Sequence, residues 1–161
     1  MLHLAIFGDI HDHQPRLEAS LELLGGRPVD LALLAGDVGE DPPFDEEGRR
    51  SGRALHDASV RRTVNRVAEA LACPVLFVPG NHDLPDPVDD HGGINCDGRF
   101  VVAAGLTVAG FGGAGPSRFG FPYEWSEKSA DRTLRELLDD GPRPDILLGH
   151  SPPRNLSLIH I

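Results

Sequence analysis

The chain has 161 residues, 40% of them apolar and 25% charged, with a formal net charge of −10. That length and apolar fraction fit one globular domain and exclude a disordered chain, and no run approaches the roughly 20 apolar residues of a membrane-spanning helix. The acidic balance makes nucleic acid an unexpected partner, because such surfaces are ordinarily basic. Cys73 and Cys96 lack metal-ligand spacing and read as free thiols of a cytoplasmic protein.

The first seven residues have no basic n-region and no cleavage site, so Leu2–Phe7 reads as a strand rather than a signal peptide. It runs into Gly8-Asp9-Ile10-His11. Pro15 then opens a helix carrying Leu17, Leu21 and Leu24 on one face, stopped by Gly25-Gly26. A second strand, Val29–Ala35, ends in Gly36-Asp37. Residues 39–52 have no period and read as a loop, in which Glu40, Asp41, Asp45, Glu46 and Glu47 are expected to be solvated. Val60, Val64, Val67 and Leu71 predict a second helix, ended by Pro74. The third strand, Val75–Val78, leads to Gly80-Asn81-His82-Asp83 and to another loop, rich in proline and aspartate (Asp86, Asp89, Asp90). Phe100–Ala103 and Leu106–Ala109 predict a hairpin turned at Gly105. Residues 110–120 contain five glycines, as for backbone lying close to a neighbour. Gly112-Gly113-Ala114-Gly115 lacks the lysine and following helix of a phosphate-binding loop. Ala130, Leu134, Leu137 and Leu138 predict a third helix, and Asp145–Leu148 a last strand leading into Gly149-His150. The order implies α/β layers with one mixed sheet or two.

Four apolar runs thus end in glycine followed by a potential ligand. Unalternated apolar runs are buried strands, and α/β sheets bind ligands beyond the carboxyl ends of their strands. The expectation is that Asp9, His11, Asp37, Asn81, His82 and His150 line one edge of one sheet. Carboxylate, imidazole and amide together suit divalent Mn, Fe, Zn, Co or Ni. Asp9 and His11 would face one ion, Asn81 and His150 a second, and Asp37 would bridge them through its two oxygens. Two ions about 3.5–4 Å apart clamp a phosphoryl group and acidify a bridging water for in-line attack. His82, beside Asn81, would supply the leaving oxygen with a proton or positive charge, and Asp83 would orient its imidazole. His13 and Arg118 are weaker candidates for touching substrate phosphate. Phe119, Phe121, Tyr123 and Trp125 form a local cluster, read as core or lid packing with a substrate wall as the alternative. His3 and His56 read as structural and His91 as a loop residue.

Gly8-Asp9-x-His11, Gly36-Asp37, Gly80-Asn81-His82-Asp83 and Gly149-His150 resemble, in order and spacing, the first four motifs of the calcineurin-like metallophosphoesterase superfamily. The resemblance implies a four-layer αββα sandwich with mixed sheets and two divalent transition-metal ions. It places Asp9 and His11 on the first ion, Asp37 between the two, and Asn81 and His150 on the second. His82 takes the place of the catalytic histidine, and the implied reaction is hydrolysis of a small phosphomonoester or phosphodiester. Some relatives use the fold as a scaffold for protein partners, the best known having lost the catalytic histidine that this chain keeps. A fifth family motif, Gly-His-x-His, has no counterpart here, so the fold and both metal sites are expected to be incomplete at the C-terminus. Leu156-Ser157-Leu158-Ile159-His160-Ile161 resembles a translated sequencing adapter. The expected organisation is therefore a truncated domain over residues 1–155 with a non-native tail over 156–161.

Overall fold

The computed structural model describes residues 1–47, 52–86, 92–139 and 141–152; Asp89, Asp90, His91 and the 156–161 segment lie outside the described residues. Four strands, β1 (Leu4–Phe7), β2 (Leu31–Ala35), β3 (Val75–Val78) and β4 (Gly93–Asn95), form a parallel sheet in that order. Three more, β5 (Phe100–Ala103), β6 (Leu106–Phe111) and β7 (Ile146–Gly149), form a second, mixed sheet. In it β5 is antiparallel to β6, and β6 is parallel to β7.

The central strands β2 and β3 are apolar on both faces because both faces are covered, whereas on the edge strand β1 Leu4 and Ile6 are exposed. Ala32, Leu34, Val75 and Phe77 face Leu17 and Leu21 of α1 (Gln14–Leu24) and Val60, Val64 and Val67 of α2 (Arg53–Leu71). Leu31, Leu33, Leu76 and Val78 pack with Cys96, just beyond β4, and with Val108 and Leu148 of the second sheet. Successive strand side chains point to opposite faces, which divides the unalternated runs of β2 and β3 between two cores. Helix α3 (Glu127–Asp139) is the crossover from β6 to its parallel partner β7. The layers run helices, sheet, sheet, helix.

The helices end as the sequence indicates: Gly25 caps α1 in the left-handed conformation, and Ala72 does the same for α2 just before Pro74. The hairpin turns on Ala104 and Gly105, both at positive φ, the signature of a two-residue type I′ turn. Arg62 pairs with Asp12 and Arg66 with Glu18, tying α2 to the start of α1. The guanidinium of Arg66 holds the Glu18 carboxyl below the usual range. That contribution is present above the ordinary glutamate pKa and lost as pH falls through the depressed one.

Three expectations are corrected. β7 belongs to the second sheet, so the ligand-bearing strand ends do not lie on one sheet edge; they meet across the gap between two sheets. β4 is an addition, since three residues, Gly93-Ile94-Asn95, carry too little pattern to signal a strand. Helix α1 begins at Gln14, with the His13 ring as its N-cap accepting from the Arg16 N–H.

Candidate metal centre

Three parallel strands of the first sheet deliver their loops side by side. The loops after β1 and β2 stay zipped beyond the strands: the Asp9 N–H donates to Gly36 O (3.2 Å), His11 to Asp37 O (2.8 Å) and Asp12 to Val38 O (3.1 Å). Asp9, His11 and Asp37 all sit at positive φ, between 48° and 52°. Asp and His tolerate this region better than most residues, and such strain collects at functional sites. Two of the glycines before the ligands, Gly36 and Gly80, have no room for side chains. A Cβ on Gly36, itself at φ +86°, would strike the His150 ring, and one on Gly80 would strike the Asp37 carboxylate and backbone.

The Asp37 carboxylate is the buried centre of the site. Its Oδ1 accepts the His82 backbone N–H (3.0 Å). Its Oδ2 lies 3.5 Å from His11 Nε2 and 3.6 Å from His150 Nε2. The single oxygen Oδ2, rather than both oxygens, therefore faces the two imidazoles. His150 Nδ1–H donates to the Ala35 carbonyl (2.9 Å), which turns the Nε2 lone pair toward Asn81 Oδ1, 2.9 Å away. A ring nitrogen bonded to backbone with the other aimed at a carboxylate and an amide oxygen is the disposition of a metal-ligating histidine. Asp9, Asp37 and His150 offer ligand atoms within 4.8 Å of one another, and so do His11, Asp41 and His82. Carboxylate oxygens, imidazole nitrogens and an amide oxygen converge here, and such a donor set fits a divalent metal.

Asp41 is the residue that sequence reasoning missed. Its Oδ1 lies 2.9 Å from His82 Nδ1 and 3.3 Å from His11 Nδ1. In sequence it is one acid among five; only the loop path turns it inward. Asp83, expected to orient His82, does something else. It is 1% exposed, and its carboxylate accepts the N–H groups of Val38 (3.0 Å), Gly39 (3.0 Å) and Gly80 (2.8 Å). Burial raises its pKa, against the opposing pull of those three N–H groups. It braces the loops after β2 and β3, while the hydrogen bond to the His82 imidazole comes from Asp41.

The glycine-rich segment after β6 closes one side. Gly113 N–H donates to Pro79 O (2.9 Å), Tyr123 N–H to Asn81 O (3.2 Å), and Trp125 Nε1–H to Gly112 O (2.9 Å). This loop lays the Phe121 ring on the His82 imidazole, with centroids 3.9 Å apart. Phe119 beside it is 67% exposed, and Arg118 lies over its ring at 4.9 Å. The two weaker substrate candidates are thus engaged locally, His13 as a helix cap and Arg118 on Phe119. The Tyr123 hydroxyl donates to Asp97 (2.7 Å), and burial together with that carboxylate pushes the phenol well above its ordinary range. Tyr123→Phe is expected to lower unfolding free energy by about 1.5 kcal/mol, the worth of a hydrogen bond to a charged group. Urea titration against the parent chain checks this.

Residues 2–160 match the model of the calcineurin-like phosphoesterase family. The crystal structure of TT1561 of Thermus thermophilus has a similar fold, with a TM-score of 0.65 and 21% identity over 98% of this chain and 72% of that one. No protein of curated function matches the sequence.

Proposed function

The chain belongs to the calcineurin-like phosphoesterase family, and we propose that it is a metal-dependent hydrolase of a small phosphomonoester or phosphodiester, working in the cytoplasm. One observation carries this reading: His11 Nε2 and His150 Nε2 flank Asp37 Oδ2, and Asn81 Oδ1 lies against His150 Nε2, with the His82–Asp41 pair alongside. Asp9, His11, Asp37, Asn81 and His150 would hold the divalent ions, with Asp37 at the centre of the set. When bound, the ions polarise the phosphoryl group and supply a nucleophile at neutral pH.

The residues of the chain do the rest. Asp37 keeps its geometry because Oδ1 is tied to the backbone of His82. His82 stands between Asp41 and Phe121, where Asp41 fixes the ring through Nδ1 and leaves Nε2 to meet the departing oxygen. Phe121 excludes water from one face of that imidazole. Among the described residues no helix is long and apolar enough to cross a membrane. The formal charge of −10 is more compatible with a small ester than with nucleic acid.

The test uses chromogenic mono- and diesters of phosphate with Mn²⁺, Zn²⁺ or Co²⁺. Hydrolysis abolished by a chelator and restored by metal is the expected result. The same ions are expected to raise the melting temperature, since ligand at 100 times Kd adds about 2.7 kcal/mol to stability. The absence of both hydrolysis and a thermal shift with all three ions would overturn the proposal.

A further inference from the structure

We propose that His56, acting with Ser59, is a positioning residue that fixes Asp41 against His82 by clamping the two loops that carry them. Its relevance to turnover rests on the role given to His82 above. His56 lies in the first turn of α2 and is 1% exposed, with its Nε2 also 3.5 Å from the Asp83 carboxylate that braces the same loops. A buried imidazole is costly unless both nitrogens are bonded, and here both are used on the site's loops. Nδ1–H donates to the Glu40 carbonyl (2.9 Å), and Nε2 accepts the Leu84 N–H (3.1 Å). Only the neutral ring with its proton on Nδ1 makes both bonds at once.

The two bonded peptides are not arbitrary. The Glu40 carbonyl belongs to the planar peptide unit leading into Asp41, so holding it fixes the plane from which the Asp41 side chain departs. Leu84 lies two residues beyond His82. The rigid imidazole is therefore a spacer between the loop that carries Asp41 and the loop that carries His82. Ser59 completes the clamp one helical turn further on: its Oγ accepts the Glu40 N–H (2.8 Å) and donates to the His56 carbonyl (2.7 Å). Both backbone groups of Glu40 are thus held by α2, although its side chain is exposed. Gly39 lets α2 come this close, since a Cβ there would lie 2.7 Å from Val60 Cγ2, 2.8 Å from Ser59 Oγ and 2.9 Å from His56 Cε1.

The experiment compares Ser59→Ala, His56→Phe and His56→Gln in the full chain. Phenylalanine keeps the ring and loses both bonds; glutamine keeps one donor and one acceptor. The first readout is the His82 Nδ1–H resonance in metal-free, ¹⁵N-histidine-labelled protein, which reports the bond to Asp41 directly. The others are Mn²⁺ affinity and, where an ester is hydrolysed, kcat and KM separately. Ser59→Ala and His56→Phe are expected to lose or broaden the His82 signal. They should lower kcat about tenfold, the usual effect of an outer-shell partner, with KM and Mn²⁺ affinity within about threefold of the parent. His56→Gln is expected to restore the signal and most of kcat. A parent-like His82 signal in variants that only melt earlier would overturn the proposal. Should His56→Phe fail to fold, Ser59→Ala, which deletes one hydroxyl, decides. If no ester is hydrolysed at all, the phosphoesterase reading fails while the His82 signal still decides the clamp.

Discussion

His82→Ala is expected to lower turnover by about 10²–10⁴-fold, the range lost with a positioned general acid or base, while divalent metal stays bound. The substitution removes the imidazole that meets the leaving oxygen but spares the backbone N–H, which donates to Asp37 Oδ1 (3.0 Å) and keeps the central ligand in place. Metal titration by calorimetry and steady-state kinetics on one preparation separate the two effects. Asp41→Asn is expected to act through the same imidazole. Its carboxylate is bonded to His82 Nδ1 (2.9 Å), so the double variant should be no slower than His82→Ala alone. Additive losses would place Asp41 in a separate role, and parent-like turnover in His82→Ala would remove the histidine from the reaction.

Asp83→Ala is expected to behave differently, as a loss of fold rather than of chemistry. The change leaves three buried N–H groups, of Val38, Gly39 and Gly80, without their acceptor. Each such orphan costs about 1–3 kcal/mol, although water entering the vacated space recovers part. A net destabilisation of about 3–5 kcal/mol is large against the roughly 5–15 kcal/mol that holds a domain together. Urea unfolding measures it. Full stability with turnover alone reduced would restore Asp83 to a catalytic role and contradict the bracing one. Asparagine is not an adequate replacement, because its NH₂ would point a donor at one of the same N–H groups.

Both variants turn on contacts between loops far apart in sequence, and these are the least legible part of the chain. The strand runs, the three helices, their glycine and proline stops and the hairpin at Gly105 follow from local pattern. Asp9, His11, Asp37, Asn81 and His150 also announce themselves, because each follows a buried run and a glycine. The assignment of Asp83 to His82 fails for a plain reason: neighbours in sequence need not be neighbours in space. After the turn at Gly80 the two side chains diverge, one into the protein beneath the loops and one toward the ligand cluster. Asp41 is lost among Glu40, Asp45, Glu46 and Glu47 because charge runs in loops carry no period to show which member turns inward.

By itself, then, the sequence determined the α/β class and the two-faced burial of the central strands, and it marked Asp9, His11, Asp37, Asn81, His82 and His150 as candidates for one site. These depend on residue type and on spacing of a few positions, which local physics reads. The tertiary structure alone decided that β7 lies in a second sheet, so that His150 closes the site across the gap between sheets. It alone decided that Asp41 is the partner of His82, that Asp83 and His56 brace the loops, and that Phe121 covers the His82 ring. Such pairings are set by how two loops pack on one helix and on each other, a balance of burial and hydrogen bonding between residues some 16 to 45 positions apart.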